Sequence, residues 1–207
     1  MAARPAAGGG RWVDVPPARL PRWLENFAGR HGGYTANGLH LVAADGTTAD
    51  LEPPAGASGA GTIDDLLTAR NRIGLLLARK GAVAAGIADG YRLVAAKVDT
   101  HYVQGRTAAG GWSQQRFARR RDNQARSAAA DGGAIAARVL LPEVRTLAAL
   151  VCGGDRAAVD AILAAPALAP LAGLRGGRLL DVPEPRQAVL VEAVAQARAI
   201  RVVIREP

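Results

Sequence analysis

The stretch RIGLLLARKGAVAAGIADGYRLVAAKVD, Arg72–Asp99, decides the fold class. It holds three aliphatic runs, Arg72–Arg79, Gly81–Ala88 and Tyr91–Asp99, punctuated by Lys80-Gly81 and Asp89-Gly90. Short apolar runs separated by glycine-containing turns predict consecutive hairpin strands. Downstream the pattern changes. Ser113 to about Ala137 is rich in Arg and Ala and predicts a helix, interrupted near Gly132-Gly133. Leu147–Cys152 predicts a short buried strand, and Arg156–Ala165 a helix capped by Asp155. Arg178–Val182 predicts another strand. Arg186 to about Ala199 predicts a last helix with Pro185 at its first turn, and Arg201–Ile204 a final strand. A hairpin block followed by alternating helices and strands implies the α/β class: a mixed β-sheet with helices packed on its faces. No internal repeat recurs at a fixed period.

Upstream of this block the signals are shorter. Residues 1–10 are small and Gly-rich and predict a disordered tail, leaving 11–207 as a single domain. Arg11–Val15 alternates and predicts a strand. Leu20, Trp23, Leu24 and Phe27 fall on one helical face, which Gly32-Gly33 ends. Tyr34–Ala43 predicts a strand with an irregularity at Gly38, and Asp45-Gly46 a turn. Trp12, Trp23, Phe27 and Cys152 read as core, and Asp64-Asp65 as a solvated helix start.

Composition narrows the chemistry. Apolar residues make up 49% of the 207 and charged residues 21%, which excludes global disorder. A single cysteine excludes an intramolecular disulfide and a thiolate metal cluster. The three histidines, His31, His40 and His101, lack metal-ligand spacing, so neither metal nor cofactor is expected. No P-loop occurs and no Gly-x-Ser-x-Gly nucleophile elbow. The longest apolar stretches, such as Ala82–Ala88, fall short of the ~18 residues of a spanning helix, and the start of the chain has no apolar signal region. The expectation is a cytoplasmic protein with no membrane partner.

The net charge of +8 is concentrated. Residues 101–126 hold six arginines (106, 116, 119, 120, 121 and 126) against one acid, Asp122, and so supply five of the eight net charges. On a helix, Arg116, Arg120, Asn123 and Gln124 share one side. Two guanidiniums and two amides suit phosphate oxygens and sugar hydroxyls, with Arg119 and Arg121 adjoining. A solvated helix face in an arginine-rich chain has the same pattern. What separates the two is the preceding loop. Gly110 and Gly111 let a ligand approach the main chain closely, and Ser113 as N-cap leaves amide donors at Gln114 and Gln115 for anionic oxygen. Trp112 is placed to stack on an unpaired base.

The sequence GGWSQQRFARRRDNQ, 110–124, resembles the signature of the actinobacterial VLRF family of peptidyl-tRNA hydrolases. These are relatives of Vms-type release factors and of the middle domain of archaeal and eukaryotic class-one release factors. VPPARLPRWLENFAGRHG at 15–32, GGDRAAVDAILAAPALAPL at 153–171 and LLDVPEPRQAVL at 179–190 are similar to that family too. The resemblance implies an RNase H-like fold and hydrolysis of the peptide–tRNA ester in ribosome rescue. It implies peptidyl-tRNA and the large ribosomal subunit with its RNA as partners. It also implies a catalytic loop of Gly110, Gly111, Ser113 and a glutamine. Class-one factors carry a contiguous Gly-Gly-Gln, whereas here two residues intervene and two glutamines follow. The family's Gly-Gly-x-Ser-Gln pattern points to Gln114, with Gln115 the alternative. A glutamine amide is neither acid nor base near neutral pH, so it positions water while backbone N–H groups stabilise developing oxygen charge. Two other functions fit the same residues: an RNA endonuclease cutting the tRNA acceptor end, and a non-catalytic RNA- or ribosome-binding module.

Overall fold

The computed structural model describes residues 4–6, 8–69, 71–79, 82–100 and 113–207. Its contacts group into two compact units, residues 72–194 and residues 1–71 with 195–207. The sequence reads as a single domain over 11–207. The division arises because each unit has its own sheet and buries its own apolar cluster.

The 72–194 unit contains the decisive hairpin block. Strands β6 (Arg72–Arg79), β7 (Ala82–Asp89) and β8 (Arg92–Thr100) pair antiparallel in sequence order. Strand β9 (Leu147–Gly154) lies parallel to β6 on its other side, and β10 (Arg175–Leu180) parallel to β9. The sheet order is thus β10-β9-β6-β7-β8. Ile73 to Ala78 of β6 and Ala82 to Ala88 of β7 are buried throughout. Unbroken apolar runs are what strands covered on both faces require. On one face lie helix α3 (Ser113–Leu140), helix α4 (Arg156–Leu163) and the 3-10 segment Pro166–Leu174. Their Ile135, Leu140, Val159, Ile162, Leu168 and Leu171 pack with Leu76, Val83, Ile87 and Leu150 of the sheet. Helix α5 (Gln187–Arg198) meets the sheet through Leu190, whose Cδ2 occupies the space a side chain at Gly86 would take. This is the α/β mixed sheet with packed helices that the sequence implies.

Several boundaries differ from the sequence reading. Helix α3 runs through Gly132-Gly133 without interruption, because Gly132 gives close passage past Ile162 and Val83 instead of ending the helix. Asp155 precedes α4 with no side-chain cap; its N–H donates to the Ala78 carbonyl at 2.7 Å. Strand β10 begins three residues earlier than the pattern suggests, since Gly176-Gly177 carries no side chain to signal a strand.

The other unit holds a six-stranded sheet in the order β1-β2-β11-β5-β4-β3. Its strands are β1 (Arg4–Pro5), β2 (Arg11–Val15), β3 (Tyr34–Asn37), β4 (His40–Ala43), β5 (Thr48–Glu52) and β11 (Ile200–Arg205). Helix α1 (Leu20–His31) buries Leu20, Leu24 and Phe27 in the same cluster as Leu41, Leu51 and Val202. Tyr34–Ala43 is a hairpin and not one irregular strand. Gly38, at φ +61°, takes the left-handed turn between paired Asn37 and His40. Arg4 and Pro5 pair with Trp12 and Arg11, so part of the N-terminal segment read as a tail is a strand. Trp12 is half-buried between guanidiniums, with Arg201 4.1 Å and Arg4 5.2 Å from its ring. Helix α2 (Ile63–Thr68) starts with a capping box in which Asp65 accepts from the Thr62 N–H, and the Thr62 hydroxyl accepts from the Asp65 N–H.

Candidate active site

Of the residues singled out in sequence, those from Ser113 to Gln124 lie in the first half of α3. Gly110, Gly111 and Trp112, with His101 and Arg106, lie outside the described residues. Ser113, Gln114, Gln115, Arg116, Arg119, Arg120, Arg121, Asn123 and Gln124 all belong to α3. Ser113 is the first helical residue and not the cap. The N–H groups of the first four helical residues, 113 to 116, have no acceptor inside the helix. They end the helix where the Gly-Gly loop joins it.

Helical geometry separates two arcs on α3. At about 100° per residue, positions 116, 120, 123 and 124 fall within roughly 100° of one another. Gly132, Gly133, Ala136 and Leu140, all buried, occupy the side away from that arc. Farther along, Gln124 is half-buried, and Arg126 is exposed beside a shallow apolar surface of Ala129, Ala130, Ala161, Ala164 and Ala165. The end of the helix is anchored: Leu140 is fully buried, and Arg72 on β6 bridges to Asp89 at 3.2 Å and Glu143 at 3.0 Å.

Other titratable groups serve structure. Cys152 is buried on β9, and burial pushes its thiol up to about 11, so it is no thiolate nucleophile near neutral pH. His31 Nδ1 lies 2.7 Å from Asp45 Oδ2, and His40 Nδ1 2.6 Å from Asp50 Oδ1. Among the described residues, no three or more His, Cys, Asp or Glu side chains gather as a metal would need. Among them, too, no single helix is long and apolar enough to cross a membrane. A second arginine cluster on β10 and α4 was not singled out from sequence. Its signal was Arg175-Gly-Gly-Arg178, which reads as one more Gly-Gly turn.

A family model described as Actinobacteria/chloroflexi VLRF1 release factor matches residues 71–203, more than half of the chain. The chain belongs to this family. The match includes the 110–124 sequence, both downstream segments and all of α3, while the similar 15–32 segment lies before it. No curated protein sequence matches. Among solved structures, the archaeal translation termination factor aRF1 is similar at 13% identity and a TM-score of 0.42, over 90% of this chain and 65% of that one. A second, described as an archaeal protein, is similar at 14% identity and a TM-score of 0.43, over 90% of this chain and 66% of its own. The VLRF1 chain thus spans slightly less than two thirds of these relatives.

Proposed function

We propose that this VLRF1 family member is a peptidyl-tRNA hydrolase acting as a release factor in ribosome rescue. It works in the cytoplasm on the large ribosomal subunit and frees a stalled nascent chain by cleaving its ester to tRNA. The observation that carries this reading is that the VLRF1 family match spans residues 110–124, of which Ser113 and Gln114 begin a 28-residue helix. The β10-β9-β6-β7-β8 order, with an antiparallel hairpin block on one side of β6 and parallel strands on the other, supports the RNase H-like expectation.

Each part of the site has a task. Gly110 and Gly111 admit the acceptor end of the tRNA close to the main chain. Gln114 aims a water at the ester carbonyl, and unpaired N–H groups around Ser113 stabilise charge on its oxygen. The leaving ribose oxygen takes a proton from water or from a substrate hydroxyl. Arg116, Arg119, Arg120 and Arg121, with Asn123 and Gln124, hold RNA phosphates and sugars, and Trp112 stacks on an unpaired base.

The deciding experiment incubates the purified protein, with and without large subunits, with peptidyl-tRNA labelled on both peptide and tRNA. Ester hydrolysis releases free peptide and full-length tRNA. A shortened tRNA with the peptide still joined to its terminal nucleotides would make the protein an endonuclease. Binding without any product would make it a recognition module.

A further inference from the structure

Strand β8 ends its sheet, and among the described residues no strand lies along its outer side. Main-chain N–H and C=O groups on such an edge are open to a further strand. The other sheet edges are poorer templates. β10 loses register, advancing four residues while β9 advances two, and β1 and β3 have two and four residues. β8 has nine. Leu93 pairs with Ala88 and Ala95 with Ile87, so Val94 is an extra residue and forms a bulge. Beyond it, Ala95 to Thr100 pair with Ile87 to Ala82 without a break. Ala95, Ala96 and Lys97 are exposed, and Val98 and Asp99 half-buried.

The charges on this regular stretch are self-complementary. Directly opposite residues of an antiparallel pair share a face. Lys97 is opposite Ala85 and Asp99 opposite Val83, so both lie on the face that α3 covers, and Val98 on the other. Neither Lys97 nor Asp99 has a hydrogen-bond or ion-pair partner among the described residues. A lone lysine on an edge strand repels a second copy of that edge. A lysine with an aspartate two positions on attracts one, in a single register.

We infer that β8 pairs antiparallel with β8 of a second copy of this chain, with Val98 opposite Val98 on the two-fold axis. That axis is perpendicular to the sheet, so it preserves faces and is centred on a residue. Centring on Lys97 sets two lysines opposite each other, and centring on Asp99 two aspartates. Centring on Ala96 leaves Lys97 against alanine. Only centring on Val98 sets Lys97 against Asp99 of the partner subunit, twice, with Cβ atoms ~4.5–5.5 Å apart. The two five-stranded sheets then join into one. One pair of strands covers less than the ~1,000 Å² of a stable interface, so association is weak and depends on concentration.

The test is sedimentation velocity of the full chain from ~1 μM to ~1 mM. The native chain should pass from monomer to dimer. Lys97→Asp and Asp99→Lys should each weaken the dimer by on the order of tenfold or more, since each sets like charges opposite at two places. An equimolar mixture of the two variants should associate as the native chain does, because every reversed charge then meets its opposite. Val98→Cys should be captured as a dimer by a short bifunctional thiol reagent. Arg92→Cys, six residues from the axis, should not, and the buried Cys152 stays out of the reaction. This capture remains a readout if a charge reversal lowers the thermal midpoint. A native chain that stays monomeric throughout overturns the inference. So does a dimer that the reversals leave unchanged, a mixture that fails to associate while both variants are folded, or capture at Arg92→Cys and not at Val98→Cys.

Discussion

Gly132 on α3 and Ile162 on α4 touch so closely that a Cβ on Gly132 would stand 2.8 Å from Ile162 Cδ1 and 3.0 Å from its Cγ1. Val83 closes the other side at 3.1 Å. A Cβ on the neighbouring Gly133 would meet Ala165 Cβ at 3.6 Å and the Ile162 carbonyl oxygen at 3.9 Å, both ordinary contacts. Alanine in a helix interior gains about 0.5–1 kcal/mol over glycine, whereas overpacking a core costs about 1–3 kcal/mol. Gly133→Ala should therefore raise the urea midpoint, and Gly132→Ala should lower it. Equal gains in both variants would show that α3 does not pass α4 this closely.

Asn71 and Arg198 form a polar clamp inside the other unit. The guanidinium of Arg198, 4% exposed, donates to both the side-chain and the main-chain oxygen of Asn71. Asn71 Nδ2 in turn donates to the Gly56 carbonyl. Asn71→Ala removes one acceptor from a buried cation and one donor from that carbonyl, and should cost about 1–3 kcal/mol. Asn71→Asp keeps the acceptor and should cost less. A midpoint for Asn71→Ala within about 0.5 kcal/mol of the native protein would contradict this.

Asp45 gives a pH signature. Its hydrogen bond to His31, and the Thr47 N–H donating to Oδ1 at 2.9 Å, lower its pKa from 3.8 to about 2. A carboxylate depressed in the folded state adds stability above its unfolded value, and loses it as pH falls through the folded one. The stability gap between the native protein and Asp45→Asn should thus be full at about pH 5 and narrow between about pH 4 and 2. Urea midpoints across that range measure it, and a constant gap would mean that Asp45 is not held by His31.

The hairpin block was legible because residues 73–78 of β6 and 82–88 of β7 are unbroken apolar runs, the mark of strands covered on both sides. The family was legible because charge, glycine and glutamine sit within one short segment, 110–124. Gly132-Gly133 misled, since composition cannot distinguish a glycine that ends a helix from one that lets a helix pass a neighbour. The division into two units was hidden because β11 comes last in sequence yet pairs with β2 and β5 near the beginning. The arginine cluster of β10 and α4 was hidden for a similar reason: Arg156 comes beside Arg175 and Arg178 only because α4 packs over β6 and β9.

The assignment of the catalytic glutamine turns on a rotation. With Ser113 as the first residue of α3, Gln114 and Gln115 are the second and third, and their positions diverge by about 100°. Gln114 stands eighteen residues before Gly132, about five full turns, and so shares its angular position; Gln115 stands on a different line. One ester held at the Gly-Gly loop can meet only one of them. Under the proposed function, the Gly-Gly-x-Ser-Gln pattern assigns that role to Gln114. Gln114→Ala should lose ester hydrolysis by on the order of 10²-fold, the scale for removing a group that positions or stabilises at the reacting centre. Its RNA affinity should stay near native, because the arginine positions are untouched, and Gln115→Ala should hydrolyse at close to the native rate. Single-turnover hydrolysis of labelled peptidyl-tRNA measures the rate, and a filter-binding titration the affinity. The reverse ranking would move the water-positioning role to Gln115. Native rates in both variants would end glutamine catalysis and leave α3 as an RNA-binding helix.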